Sequence, residues 1–220
     1  MRAVSALRRA ACLGASAALV PVFTCAYAAS FDCAKASARM ERIVCGDGAL
    51  GARDEILARL YAAALKAGKR ESVEARQRTW LGTAQACATA ACLAEAYDRR
   101  NARLQRSKGG AAAGTDFLSL KLEGNHGTLD VVGPVRGFAS VSLSSTYVGA
   151  GGAEAGDVYA TGTDAFLDLR NGPATFADGP CRVTYERLDA DRWMVTQAGT
   201  CDLPGGTVYA GVYRRLPGPR

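Results

Sequence analysis

Histidine is almost absent: His126 is the only one among 220 residues. A Ser-His-Asp triad or a histidine-based metal centre would have to be built around that single imidazole. His126 lies in Gly124-Asn125-His126-Gly127, a tight-turn composition that turns a side chain to solvent, and no Gly-x-Ser-x-Gly elbow accompanies it. The cysteines offer no replacement, because spacings of twelve (Cys33 to Cys45) and five (Cys87 to Cys92) are not those of zinc ligand pairs. Aromatic residues are scarce at 7%, and no nucleic-acid-binding motif appears, so the net charge of +6 does not read as a nucleic-acid interface. The glycine-rich run 149–156 lacks the Lys-Ser/Thr of a phosphate loop and opens no helix. Asp164 and Asp168 flank a short apolar stretch, but nothing in the pattern sets the carboxyl separation that a glycosidase pair needs. The expectation is a protein with no catalytic, cofactor-binding or metal-binding residues, and not an enzyme.

Long apolar runs are also missing, with one exception at the N-terminus. Residues 1–28 have the three parts of a secretory signal: Arg2, Arg8 and Arg9, then the apolar 10–23, then Ala26-Tyr27-Ala28 as the cleavage site. Lipidation at Cys25 is the weaker reading, since Phe23 and Thr24 stand where a lipobox wants small residues. Cleavage near Ala28 removes Cys12 and Cys25 and leaves six of the eight cysteines. An even number in an exported chain argues for disulfides and for a periplasmic or secreted bacterial protein. No later run is apolar enough to span a bilayer, so no transmembrane segment is expected in the mature chain.

What is present divides in two. Residues 29–108 carry 15 basic and 9 acidic side chains, whereas 109–220 carry 9 and 12. The basic half has helical periodicity. A short helix is expected at 40–45 with Ser37 as its cap, and a second follows Asp47 with Leu50, Leu57, Tyr61 and Leu65 on one stripe. A third starts at Ser72 and carries Trp80, and a fourth follows Cys92 and carries Tyr97, Arg100 and Leu104. Tyr61, Trp80 and Tyr97 are the expected core anchors of a small helical hairpin bundle at 29–105.

Within that half, Phe31-Asp32-Cys33-Ala34-Lys35-Ala36 is followed by Glu41, Cys45 and Leu50-x-x-x-Asp54-x-x-Leu57-x-x-x-Tyr61. Then come Gln77-Arg78-x-Trp80-Leu81, Cys87 and Cys92-Leu93-x-x-x-Tyr97-x-x-Arg100-x-x-x-Leu104. This pattern, over 31–104, resembles the LprI family of lysozyme inhibitors. The resemblance implies a helical domain of the periplasm or cell envelope, with lysozyme inhibition known for the family's namesake. Two positions depart from it: Ala38-Arg39 stands where the family usually has Thr-Pro, and Ala84 where it usually has Arg. Four cysteines allow three pairings. A continuous helix would hold Cys33 and Cys45 about 18 Å apart, too far for a bridge. A helix starting at Ser37 instead leaves 31–36 free to fold back. Cys33–Cys45 with Cys87–Cys92 is therefore favoured, and the crossed arrangement stays open.

A small, polar segment at 106–115 reads as a flexible linker. Beyond it, 116–216 alternates with period two. Strands are expected at 117–122, 128–132, 138–147, 158–161, 165–169, 174–177, 181–187, 193–197 and 207–213, as an antiparallel β-barrel or sandwich. A hairpin turning at Ala190 sets Cys181 opposite Cys201 and predicts a third bridge. The fold class is thus α + β in two separate domains, a disulfide-stapled helical bundle followed by a β domain. The expected function is an exported binding protein, a lysozyme inhibitor that occludes the enzyme cleft. A structural or adaptor module that binds a membrane protein or cell-wall polymer is the alternative. A basic lysozyme would be steered to the acidic half, where Glu154 and Asp157 beside the glycine-rich loop are the candidate contacts.

Overall fold

The computed structural model describes residues 29–120 and 124–216. The expected signal peptide, with Cys12 and Cys25, lies outside them. Four helices come first: α1 (Arg39–Gly46), α2 (Gly48–Ala67), α3 (Arg70–Ala86) and α4 (Ala90–Gln105). Among the described residues no helix is long and apolar enough to cross a membrane.

The caps explain where these helices begin. Asp47 accepts from the amides of Ala49 and Leu50 and starts α2 as its sequence position suggests. Ser37 does not cap α1. Glu41 reaches back instead and accepts from the amides of Ser37 and Ala38 at 2.8 and 2.9 Å. Helix α3 starts at Arg70, ahead of the expected Ser72. Thr89, a hydroxyl acceptor for the amide of Cys92, caps α4. The buried stripe of α2 runs through Leu50, Ile56, Leu57, Leu60 and Ala64, so Leu60 and not Leu65 is its lower anchor. Tyr97 is fully buried, while Trp80 and Tyr61 are half-buried against the same core.

Three cysteine pairs stand at bonding distance: Cys33–Cys45, Cys87–Cys92 and Cys181–Cys201, with Cα separations of 5.7, 5.5 and 4.5 Å. The first ties a 3₁₀ turn (Cys33–Lys35) to α1, and the second closes the α3–α4 connection.

Eight antiparallel strands follow: β1 (Thr115–Leu120), β2 (Asn125–Val135), β3 (Phe138–Val148), β4 (Val158–Asp168), β5 (Ala174–Asp178), β6 (Cys181–Arg187), β7 (Arg192–Ala198) and β8 (Gly211–Arg215). They form one sheet in the order β4-β3-β2-β1-β8-β7-β6-β5, curled into a nearly closed barrel whose edges β4 and β5 approach each other. Two expected strands, 158–161 and 165–169, are one, because Gly162, Thr163 and Asp164 keep their register with Ser144, Leu143 and Ser142. His126 is not in a turn. It lies in β2 opposite Thr146, exposed to solvent. The β6–β7 register matches the expected turn centre, pairing Arg187 with Trp193 and Arg182 with Ala198. Trp193, Tyr185, Tyr213, Leu129 and Leu143 fill the barrel interior, as eight strands require.

The helices pack on the outer face of β2–β4. Val132, Val135 and Phe138 belong to the same apolar cluster as Leu60, Leu93 and Tyr97, so the parts expected as separate domains share a core. Segment 106–115 carries a 3₁₀ turn (Ala111–Ala113), with Gly109 set against the backbone of Ala63 and Ala64 on α2. Across the seam, the Arg53 guanidinium lies 3.7 Å over the Phe166 ring, Phe166 stacks on Phe138 at 5.4 Å, and Arg170 lies 4.4 Å over Phe138. Arg53 is aimed by a two-pronged pair with Asp98. Arg136–Glu55 and Arg106–Asp164 add ion pairs at 3.1 and 2.9 Å. Between them Gln105 is nearly fully buried. Its amide donates to the Asp130 carbonyl at 3.1 Å and to the Asp130 carboxylate, and its oxygen accepts from Ser140 at 3.0 Å.

Burial pushes the Asp130 carboxyl up to about 7, against the lowering effect of the Gln105 bond and with Asp116 adding to the rise. Its folded pKa therefore exceeds the unfolded value of about 3.9. The linked stabilisation is complete below about pH 4 and is lost as pH rises through about 7. Asp130→Asn should remove this slope, so that urea midpoints of variant and parent diverge between pH 4 and 7 and run parallel above it. Phe166→Ala should cost about 2–4 kcal/mol in the same assay. Arg53→Ala should cost less in that background than alone, and additivity within about 0.3 kcal/mol would show that the stack carries no coupling.

Candidate functional site: the tip of the β3–β4 hairpin

Strands β3 and β4 stay paired to their ends, where Val148 faces Val158, and the glycine-rich segment closes the hairpin beyond them. The loop is ordered by its own hydrogen bonds. The Gly149 amide donates to the Asp157 carbonyl at 2.8 Å, and the Gly151 amide donates to the Asp157 carboxylate at 2.9 Å. Gly152 and Gly156 have φ of +76° and +75°, which a side chain would strain, and between them Ala153–Ala155 make a single 3₁₀ turn. Asp157 is thus the clasp of the loop. Glu154, the other acidic residue singled out from the sequence, is exposed on that turn and makes no ion pair among the described residues.

Behind the loop, Tyr147 and Tyr159 are cross-strand partners on the inward-facing row of the barrel. The segment between β7 and β8 crosses over them. A Cβ on Gly205 would fall 2.3 Å from the Tyr159 ring, and one on Gly206 would fall 3.1 Å from that of Tyr147, so both glycines lie directly on the rings. Buried Asn125 and Ser145 hold this crossing in place. Asn125 donates to the Gly206 carbonyl at 2.8 Å, Ser145 donates to Asn125, and the Val208 amide donates to Ser145 at 3.2 Å. Cys181–Cys201 anchors the start of the crossing segment to β6. The tip therefore presents Tyr159, Val158 and Val208, which are 41%, 42% and 38% exposed, on a frame fixed from behind. Reading the sequence missed Tyr147, Tyr159 and Val208. The one available signal was Pro204-Gly205-Gly206, a turn composition whose function depends on what lies beneath it.

The other candidates do not converge. Asp164 is taken by Arg106. Asp168 is taken by Arg170, whose hydrogen bonds hold its carboxyl well below the usual range, at about 2. Four residues apart on one strand, these acids have Cα atoms about 13 Å from each other, and each carboxylate is already held by an arginine. Among the described residues no three His, Cys, Asp or Glu side chains gather as a metal-holding group.

No family model, curated protein or solved structure matches the chain. The residues that carry the LprI resemblance are largely engaged with one another. Tyr97 donates to Asp54 at 3.0 Å, Arg100 donates to Gln77 at 3.0 Å, and Trp80 donates to the Ala96 carbonyl while meeting Tyr97 edge-on at 5.1 Å. Ala84, the departure near the third cysteine, is fully buried. These contacts describe a frame for the helices.

Replacing Asp157 with Ala should loosen the loop locally. The Gly151 amide should exchange at least about tenfold faster with solvent, while the amides of Leu143 and Val141 keep their protection.

Proposed function

We propose that the protein is an exported binding protein that inhibits a basic enzyme, with lysozyme as the target class, by seating the β3–β4 tip at the enzyme cleft. The observation that carries this reading is the set of exposed groups at this end of the barrel: Val158 and Tyr159 at the start of β4, Val208 on the crossing segment, and unpaired Glu154 on the loop that Asp157 clasps. Rigid aromatic anchors supply most of the energy in protein interfaces, because ordering them on binding costs little. The acid's role differs. Glu154 steers a basic partner and raises the association rate more than the affinity. Asp157, named from the sequence as a contact, acts in this reading through loop shape, since its carboxylate is already engaged. The LprI resemblance supports the target class, and three cysteine pairs at bonding distance are compatible with a location outside the cytoplasm.

The test is titration of lysozyme activity with the oxidised full chain. Inhibition is expected, weakened at least about tenfold by Tyr159→Ala. Glu154→Gln should act mainly on the association rate and lose its effect at high salt. Undiminished inhibition by a variant carrying both Tyr159→Ala and Glu154→Gln would move the contact off the hairpin, and no inhibition at all would remove lysozyme as the target.

A further inference from the structure

On the helical half, a groove of about 710 Å³ runs between α3 and α4, with the C-terminal part of α2 at its edge. Four guanidinium-bearing side chains line it, Arg76 from α3 and Arg99, Arg100 and Arg103 from α4, and no acidic residue does. Arg99 has an exposed partner on its own helix, Glu95. Arg76 and Arg103 are exposed and make no ion pair among the described residues.

Arg100 is different in kind. It is only 6% exposed, its Nε donates to Gln77, and its Nη2 is buried with no hydrogen-bond partner in the protein. A solvated basic face would account for Arg99 and Arg103, whose stems can lie along the helix while their heads stay wet. It does not account for Arg100, because a buried charge without a counter-charge is among the costlier arrangements in a fold. The cluster adds to that cost: burial, followed by the charges of Arg103 and Arg76, holds the Arg100 pKa below its ordinary value. The compensating anion is not supplied by any described residue.

We propose that this groove binds a phosphate group carried on an organic body, with Arg100 at its floor and Arg76 and Arg103 at its walls. Guanidinium groups take phosphate oxygens through paired, charge-assisted hydrogen bonds, and a doubly charged anion balances several arginines where a carboxylate balances one. The volume exceeds what one phosphate needs and falls in the range of small-molecule sites. Val73 and Trp80 form an apolar wall for the remainder. The hydroxyls of Thr79 and Thr83 are turned back to the carbonyls of Ala75 and Thr79, which leaves the arginines as the recognising groups. The groove is built from other residues than the hairpin tip, so a failed lysozyme assay leaves this proposal intact.

Calorimetry on the oxidised full chain with phenyl phosphate, inorganic phosphate and acetate tests it. Saturable binding is expected for phenyl phosphate, tighter than for inorganic phosphate and at least about tenfold tighter than for acetate. Arg76→Gln with Arg103→Gln, both exposed positions that leave Gln77–Arg100 in place, should weaken phenyl phosphate at least about tenfold. Arg100→Lys should weaken it too, with folding checked by circular dichroism. Co-sedimentation with phosphatidic acid vesicles, against phosphatidylcholine vesicles, separates the sources: arginine-dependent sedimentation without phenyl phosphate binding assigns the phosphate to a lipid headgroup. Absence of saturable binding in both arms, binding unchanged in the double variant, or acetate matching phosphate would each overturn the proposal.

Discussion

Arg53, Phe166, Phe138 and Arg170 lie face on face across the junction of helices and barrel, where the two parts of the chain meet. An isolated four-helix unit of this length has a small core that supplies only modest stability by itself. Here two kinds of constraint add to it. Two disulfides close short loops of the helical unit, one from the turn before α1 into α1 and one at the α3–α4 connection. The outer face of β2–β4 then serves as a further wall of its core, contributing Val132, Val135 and Phe138. Across this seam Gln105 bridges Asp130 and Ser140. A buried amide of this kind stabilises only when its partners are present, so it ties the orientation of the two parts to one geometry.

That geometry has consequences for function. Trp193, Tyr185 and Tyr213 fill much of the barrel interior. The rim and the helical surface carry the exposed groups of the hairpin tip and of the arginine groove. At the rim, the crossing segment and Asp157 hold a loop that would otherwise lose entropy on docking. On the helices, the family-like residues are spent on each other, as Asp54 with Tyr97 and Gln77 with Arg100. Arg100 serves both purposes, since one edge of its guanidinium secures α3 to α4 and another nitrogen is left without a partner.

Local chemistry was legible to the extent that it was local. Asp47 caps α2 because a short acid before a helical run has one low-energy use, and the β6–β7 register followed from a turn and the period of a strand. Three expectations failed, one to a near neighbour and two to strand pairing. Ser37 lost its capping role to Glu41, four residues on. Gly162 looked like a strand break, but continuous pairing with β3 carries the chain through it. His126 read as a turn residue, yet pairing with β3 and β1 draws it into β2. The hairpin site was half visible. Glu154 and Asp157 stood out by charge, whereas Tyr147 and Tyr159 look like any strand aromatics until Gly205 and Gly206 are laid over them.

Period, caps, cysteine spacing and charge by themselves determined the order of elements, the helical-then-β division and the favoured cysteine pairs, because each depends on neighbours within a few turns of chain. Only the folded chain decided that the two parts share a core, that Asp157 is a clasp while Glu154 is free, and that Arg100 is buried without a full set of partners. The shared core depends on contacts between residues 25 to 113 positions apart, such as Gln105 with Asp130 and Arg53 with Phe166, and Arg100 depends on Gln77 on another helix. No periodicity in the sequence records them.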